Sequence, residues 1–406
     1  MRVTILLAGL ATNVLGAPAG SSRRDATPLS RPAVTPQLKS ANLMANATDP
    51  DVDRDSCGSV RIGNRAFWTC RDTMRYDRTA GTSVFPVISN SAGWSETSEG
   101  GLVAQANAEI GPGSTGGNMI LPIYGSDSAN EFFPNMPGDC DENHGQCWDG
   151  TRWAVWPNSP PMVAAPDGEN TVAYSWVPQS NLNQLTLLNP FRPYTLYKTT
   201  YSPSQPSTTL PTVSIANPTF WAAGEPGYGD YGNVVRDGYA YLYAQRPDSS
   251  GTLLARAPIT SIEDRSTYTY YTPSTGWTTT LPSLSDPAAT LPNAGTGWQG
   301  TFYYSTAFSS YIWIGQALNC PSAEFYITTA PAPEGPWIEP YVLWKGESGD
   351  GLVGAYSLQA HTSLLPSGDV AAEKGIFTET ERTAEQTLLI LIQRTCIITP
   401  SNELVQ

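Results

Sequence analysis

Short runs of alternating apolar and polar residues recur along the chain, and each run is cut by a glycine-bearing turn. Ser59–Ile62 leads through Gly63-Asn64 into Arg65–Thr69, and Pro161–Ala164 passes Asp167-Gly168 into Thr171–Trp176. Gly232–Val235 meets Asp237-Gly238 and continues as Tyr239-Ala240-Tyr241-Leu242-Tyr243, the clearest of the set. Gly300–Tyr304 turns at Ser309-Ser310 into Tyr311–Gly315, and Ala355–Ala360 is expected to turn at Ser367-Gly368 and resume at Gly375–Phe377. Alternation over four to eight residues predicts half-buried strands, and an Asp-Gly pair between β-rich runs predicts a tight hairpin. The last four hairpins recur at about the length of one four-stranded blade with its loops. The predicted fold is therefore all-β, a five-bladed β-propeller. A β-sandwich is the competing architecture, but it does not require a hairpin at this spacing.

Composition supports strands over helices. Gly and Pro together make up 71 of the 406 residues, aromatic residues 42, and charged residues only 14%. Tyr, Trp and Thr suit pleated surfaces, while Gly and Pro punctuate turns. The net charge of −14 repels nucleic-acid phosphate and anionic lipid, leaving an uncharged polysaccharide or oligosaccharide as the expected partner of a monomer.

At the N-terminus, Arg2 followed by the apolar run Val3–Leu15 and the small residues Ala17-Pro18-Ala19 predicts a signal peptide over residues 1–19, hence secretion. Residues 20–50, rich in Ser, Pro, Ala and Thr, predict a disordered leader or propeptide. Within it, Arg23-Arg24 reads equally as a processing site or as an ordinary charged patch, and Asn46-Ala47-Thr48 is a glycosylation sequon. The propeller is expected over 51–406, with a lid-like insertion over about 85–150. Six cysteines in an exported chain predict disulfides. Cys140 and Cys147 flank a short loop, Cys57 and Cys70 lie on neighbouring strands of one hairpin, and Cys320 with Cys396 remains by elimination.

Residues just before the inner strands of a propeller converge on one mouth. Three acids stand at or beside such positions: Asp55, Asp72 and Glu225. Glycoside hydrolysis needs two carboxyls across the scissile bond, one protonated and one ionised. On that scheme Asp55 is the ionised nucleophile or base, favoured by Arg54, Asp72 is the proton donor, and Glu225 stands in reserve. The ordinary alternative is that Asp72 caps a turn and Glu225 pairs with a surface arginine. Trp156 and Asn158, held by flanking prolines, are expected to touch substrate together with Tyr228, Trp298 and His361. Aromatic rings stack on sugars but also fill cores. Two histidines, His144 and His361, are too few for a multi-histidine metal site, and neither a phosphate loop nor a dinucleotide fingerprint is present, so no cofactor is expected.

The runs Gly232–Tyr243, Ala255-Arg256-Ala257-Pro258 and Ala330–Trp337, with Arg54-Asp55, Arg71-Asp72-Thr73 and Tyr356–His361, resemble one family. It is the secreted five-bladed propeller family, formerly of unknown function, that includes bacterial endo-D-arabinanases. The resemblance spans Asp55 to Leu365. It implies endo-hydrolysis of furanosyl polysaccharide such as D-arabinan, with Asp55 and Asp72 as the acidic pair. Cys57 and Cys70 depart from simpler members, and the tail from Gly368 onward departs from the expected final strand, with Thr387–Ile392 apolar but not clearly alternating. A carbohydrate-binding or surface-interaction propeller without chemistry is the rival function.

Overall fold

The computed structural model describes residues 32–38, 41, 45–98, 101–102, 120–125, 129–165, 170–202, 204–206, 208–247, 249, 251–316, 323–346 and 356–365. These lie in a unit that begins at Pro32. Among them regular structure is β-strand, with a few single-turn 3-10 helices.

Among the described residues four larger antiparallel sheets follow one another along the chain, beside a small three-stranded one of Val52–Arg54, Thr73–Asp77 and Thr82–Ile88. The first is built on Gly58–Ile62, Arg65–Cys70, Ser91–Ser98 and Gly101–Leu102. The second uses Met162–Ala165, Thr171–Asn183, Tyr194–Tyr201 and Thr212–Trp221. The third runs Gly232–Arg236, Tyr239–Gln245, Thr252–Pro258, Thr269–Thr272 and Gly276–Thr278. The fourth runs Gly300–Ser305, Ser310–Gln316, Glu324–Ala330 and Tyr341–Lys345. In the third, Asp237 and Gly238 both take positive φ (51° and 80°), the type I′ geometry that the Asp-Gly pair predicted, with Arg236 opposite Tyr239.

The first strands of successive sheets pack side by side, first on second, second on third and third on fourth. Residues 356–365 close the gap between the fourth and the first. Ala360 N–H donates to Thr301 Oγ1 (3.1 Å), and on the other side Ser59 Oγ meets His361 Nδ1 (2.9 Å) and Ser363 Oγ (2.6 Å). This segment carries one 3-10 turn, Thr362–Leu364, and no strand, unlike the hairpin expected there. Ser367-Gly368, Gly375–Phe377 and Thr387–Ile392 lie outside the described residues.

The core is divided among the seams between sheets, as expected when sheets pack face to face around an axis. Phe67, Trp94, Phe133, Val177 and Tyr197 fill the first seam, and Trp176, Trp221, Tyr228, Leu242 and Tyr268 the second. Tyr243, Phe302, Trp313 and Trp337 fill the third, where Tyr243 and Phe302 stack at 3.8 Å. The many aromatics of the composition are thus mostly wedges between sheets. The fold is all-β and propeller-like.

Two expectations about segment boundaries are modified. The leader predicted over 20–50 contributes to the fold from Pro32 onward. Val34 and Pro36 carbonyls accept from Thr329 Oγ1 and Tyr341 Oη, Leu38 joins the fourth sheet's cluster, and Asn46–Thr48 pairs in parallel with Ile120–Pro122. Its apolar residues are few, but the sheet edges supply partners that a local window cannot see. The insertion over 85–150 is partly anchored: buried Asn90 accepts from Phe133 N–H (2.7 Å) and donates to the Phe133 and Val155 carbonyls (3.0 and 2.9 Å). Two disulfides are formed, Cys57–Cys70 and Cys140–Cys147. The signal peptide, Arg23-Arg24, Cys320 and Cys396 lie outside the described residues. No helix among the described residues is long and apolar enough to cross a membrane.

Candidate active site

Asp55 and Asp72 sit on adjacent extended segments joined through the main chain. Asp55 N–H donates to the Asp72 carbonyl and Arg71 N–H to the Asp55 carbonyl, both at 2.8 Å. The Cys57–Cys70 disulfide closes the same ladder one step further on. Two residues distant by 17 positions are thereby fixed as neighbours.

The Asp55 Oδ1 accepts from Ser56 Oγ (2.8 Å) and from Tyr356 Oη (2.7 Å), which reaches it from the closing segment. Burial, reinforced by Asp55, raises the Tyr356 phenol, so it remains a donor. No described residue bonds Asp55 Oδ2, which leaves that oxygen open to a ligand or water. Ser56 and Ser357 both hold left-handed backbone (φ 47° and 59°), and their hydroxyls meet at 2.5 Å. Non-glycine residues in this region are sustained by surrounding structure and cluster at functional sites.

Asp72 is enclosed differently. Arg152 grips it through two nitrogens (2.6 and 3.1 Å), and Trp156 Nε1 donates at 2.8 Å. Every one of these contacts is a donor to the carboxylate, the pattern of an ion-paired acceptor. This differs from the proton-donor role expected for Asp72. Arg54, expected to favour Asp55, instead pairs with Asp49 at 3.1 Å.

A third carboxyl, Asp230, comes from the loop before the third sheet. Asn158 Nδ2 donates to both its oxygens at 2.8 Å, while Asn158 Oδ1 accepts from Arg71. Burial pushes Asp230 up to about 6, and Arg192, Asn158 and Arg71 act against that rise. Burial likewise lowers the Arg71 guanidinium, with Asp55 and Asp230 opposing. Gln299, from the start of the fourth sheet, places its amide oxygen toward Arg71 and its nitrogen toward Ser357 Oγ. Gly229 (φ 95°) lets the Asp230 loop lie on Trp176, since a Cβ there would stand 2.3 Å from the indole.

The structure therefore brings Asp55, Asp72, Trp156 and Asn158 into one network and leaves other predicted positions outside it. Glu225 accepts from Arg265 Nη2 (3.0 Å) and from Ala222 N–H (2.7 Å), so its carboxylate ties the second sheet to the third. Tyr228 is wholly buried in the seam between those sheets, its ring against Trp221 and Tyr270, and is not a surface for substrate. His361 packs against Trp68 and Ser59, and burial lowers it to about 4, which keeps it neutral. Trp298 is exposed beside Gln299. Asn46 lies in the parallel strand pair. Among the described residues, no group of three or more His, Cys, Asp or Glu side chains could hold a metal ion.

Asp230, Arg71, Arg152, Arg192, Gln299 and Tyr356 carry no individual signal in the sequence as site residues, although Asp230 and Gln299 lie in stretches that precede inner strands. The signal for Asp230 was positional, because it lies in the 225–231 stretch before an inner strand. Glu225 shares that stretch, and its pairing with Arg265, against the burial of Asp230 on Asn158, separates the two.

Fold and site together define a propeller-like all-β protein with a half-buried acid–arginine cluster, centred on buried Asp230, where its sheets begin. No protein-family model matches the chain, and no curated protein matches it. Among solved structures, a provisionally assigned hydrolase of Bacteroides ovatus superposes with a TM-score of 0.52 at 16% identity, covering 78% of this chain and 77% of that one. That likeness shows a common fold. A family 117 glycoside hydrolase of the marine bacterium Zobellia galactanivorans is more distant, at TM-score 0.39 and 11% identity over 85% and 80% of the two chains. So is an exo-1,5-α-L-arabinanase from a bovine ruminal metagenomic library, at 0.37 and 11% over 79% and 87%.

Proposed function

We propose that this chain is a secreted, five-bladed propeller glycoside hydrolase that cleaves furanosyl polysaccharide, such as D-arabinan, at internal linkages. One observation carries the reading: carboxyls from separate parts of the chain converge through Arg71 and Asn158 on a common centre. Asp55 serves as the base or nucleophile, with Oδ2 facing the reacting centre and Oδ1 oriented by Ser56 and Tyr356. Asp230, raised by burial toward neutrality, serves as proton donor, the division of roles that such a hydrolase needs. Asp72 positions Arg152 and Trp156 beside them.

The closing position of residues 356–365 between the fourth and first sheets supports the five-bladed reading. Two disulfides accord with export, as does the apolar N-terminal run. Asn46 is the proposed glycan site, and no cofactor takes part. The furanosyl specificity comes from the resemblance of the Arg71-Asp72-Thr73 and Tyr356–His361 motifs. The test is release of new reducing ends from D-arabinan, linear L-arabinan and arabinogalactan. Wild type should act on at least one, and Asp55→Asn and Asp230→Asn should each abolish cleavage while still unfolding cooperatively. Full activity in both variants refutes the assignment, and glycan binding without cleavage by wild type establishes the non-catalytic alternative.

A further inference from the structure

Next to the acid cluster a small sheet projects from the second sheet. Thr151–Val155 pairs with the far half of Thr171–Asn183, Thr151 opposite Asn183, and Thr186–Leu187 pairs on the other edge. At its tip Trp148 is 98% exposed and Leu185 94%. The turn carrying Trp148 is fixed by Cys147 N–H to the Thr151 carbonyl (2.9 Å) and by the Cys140–Cys147 disulfide. A tryptophan held on a rigid turn and left almost wholly in water forgoes a large burial gain, which points to a surface that a ligand covers.

Its position relates it to the site. Arg152, four residues on, grips Asp72. On the other edge Phe191, 60% exposed, immediately precedes Arg192, whose charge acts on Asp230. Trp298, 36% exposed, immediately precedes Gln299. Three exposed rings thus stand within one to four residues of members of the central network, contributed by separate stretches of chain.

We infer that Trp148 and Phe191 are stacking platforms for glycosyl residues lying beyond the cleavage point, so that the protein grips a run of an uncharged polysaccharide rather than its end. Sugar rings present apolar faces that pair with aromatic faces without requiring charge. The net charge of −14 disfavours an anionic polymer on the same surface. This rests on the acid cluster being the substrate site.

The double variant Trp148→Ala/Phe191→Ala separates the two ideas. In gels containing D-arabinan, linear L-arabinan or arabinogalactan, wild type should be retarded by at least one polymer and the double variant should run free. On that polymer its KM should rise about tenfold, because two rings no longer stack on the bound chain, with kcat unchanged. Cleavage of a trisaccharide from the same polymer should not change. Retardation of wild type without cleavage, abolished in the double variant, supports the platform and removes the hydrolase reading. A double variant retarded like wild type, or a wild type retarded by none of the polymers, overturns the platform. So does sedimentation showing a wild-type dimer that the double variant dissociates, since the rings would then cover one another.

Discussion

Replacing Asn158 by leucine, a side chain of similar volume without polar atoms, tests the titration of Asp230, although it also removes the acceptor that Asn158 offers Arg71. Asn158 is the only described side chain shown to donate to Asp230, and it serves both oxygens. Hydrogen bonds to a charged group contribute about 1.5–3 kcal/mol, and about 1.4 kcal/mol corresponds to one pH unit. Asp230, already at about 6, should therefore move up by about 1–2 units in Asn158→Leu. If Asp230 donates the proton in cleavage, the alkaline limb of the kcat/KM profile moves up by the same interval. Stability gives a readout that needs no substrate. A carboxyl raised in the folded state keeps its proton after the unfolded chain has released it at about 4, so folding loses stability as pH rises until the folded value is passed. In wild type that loss ends near pH 6; in the variant it continues for about 1–2 units more. His361 works in the opposite sense, because burial lowers it from 6.5 to about 4 and stability falls as pH drops through that window. It is common to both proteins and cancels in their difference. The assay is thermal unfolding of both from about pH 4 to 9, a span that brackets both titrations. A gap in Tm that widens between about pH 6 and 8 is expected. A gap independent of pH, with an unmoved alkaline limb, refutes the role given to Asp230.

Other outcomes follow from the same geometry. Glu225→Gln should retain hydrolysis and cost less than about 1 kcal/mol in urea unfolding, because its partly exposed pairing with Arg265 is structural; loss of kcat in this variant would return Glu225 to the site. Cys57→Ser/Cys70→Ser opens a loop of 13-residue separation and should cost about 3 kcal/mol on the chain-entropy account. It should also depress kcat in conditions where the fold persists, since the bridge closes the ladder holding Asp55 beside Asp72. Tyr356→Phe should lower activity without shifting Tm by more than a few degrees, because it removes one donor to Asp55 from a half-buried position.

Much of the fold was legible because strand signals are local. Alternation and turn residues located the hairpins at Gly58–Cys70, Gly232–Gln245 and Gly300–Gln316, and the Asp237-Gly238 pair determined its own turn geometry through two left-handed residues. The second sheet's long strand, Thr171–Asn183, is legible only in its first half, since its far half is stabilised by partners from Thr151–Val155 rather than by its own pattern. The partners of residues 32–38 and 46–48 are likewise remote in sequence, so these residues look like leader in a local window. The site was half legible. Asp55 and Asp72 could be placed by strand position, but whether a nearby acid is used by an arginine depends on residues remote in sequence. Glu225 with Arg265, Asp72 with Arg152 and Asp230 with Asn158 differ in ways that no local window contains.

The sequence by itself determined the all-β character, four of the five expected hairpins, the two cysteine bridges and the convergence of Asp55 with Asp72, because each depends on residues within a few positions or on one ladder. Only the tertiary structure decided which carboxyls are ion-paired, which is buried and raised, and which aromatics fill seams or face water. Those properties depend on desolvation and on charges supplied by other sheets, and both exist only once the chain has folded.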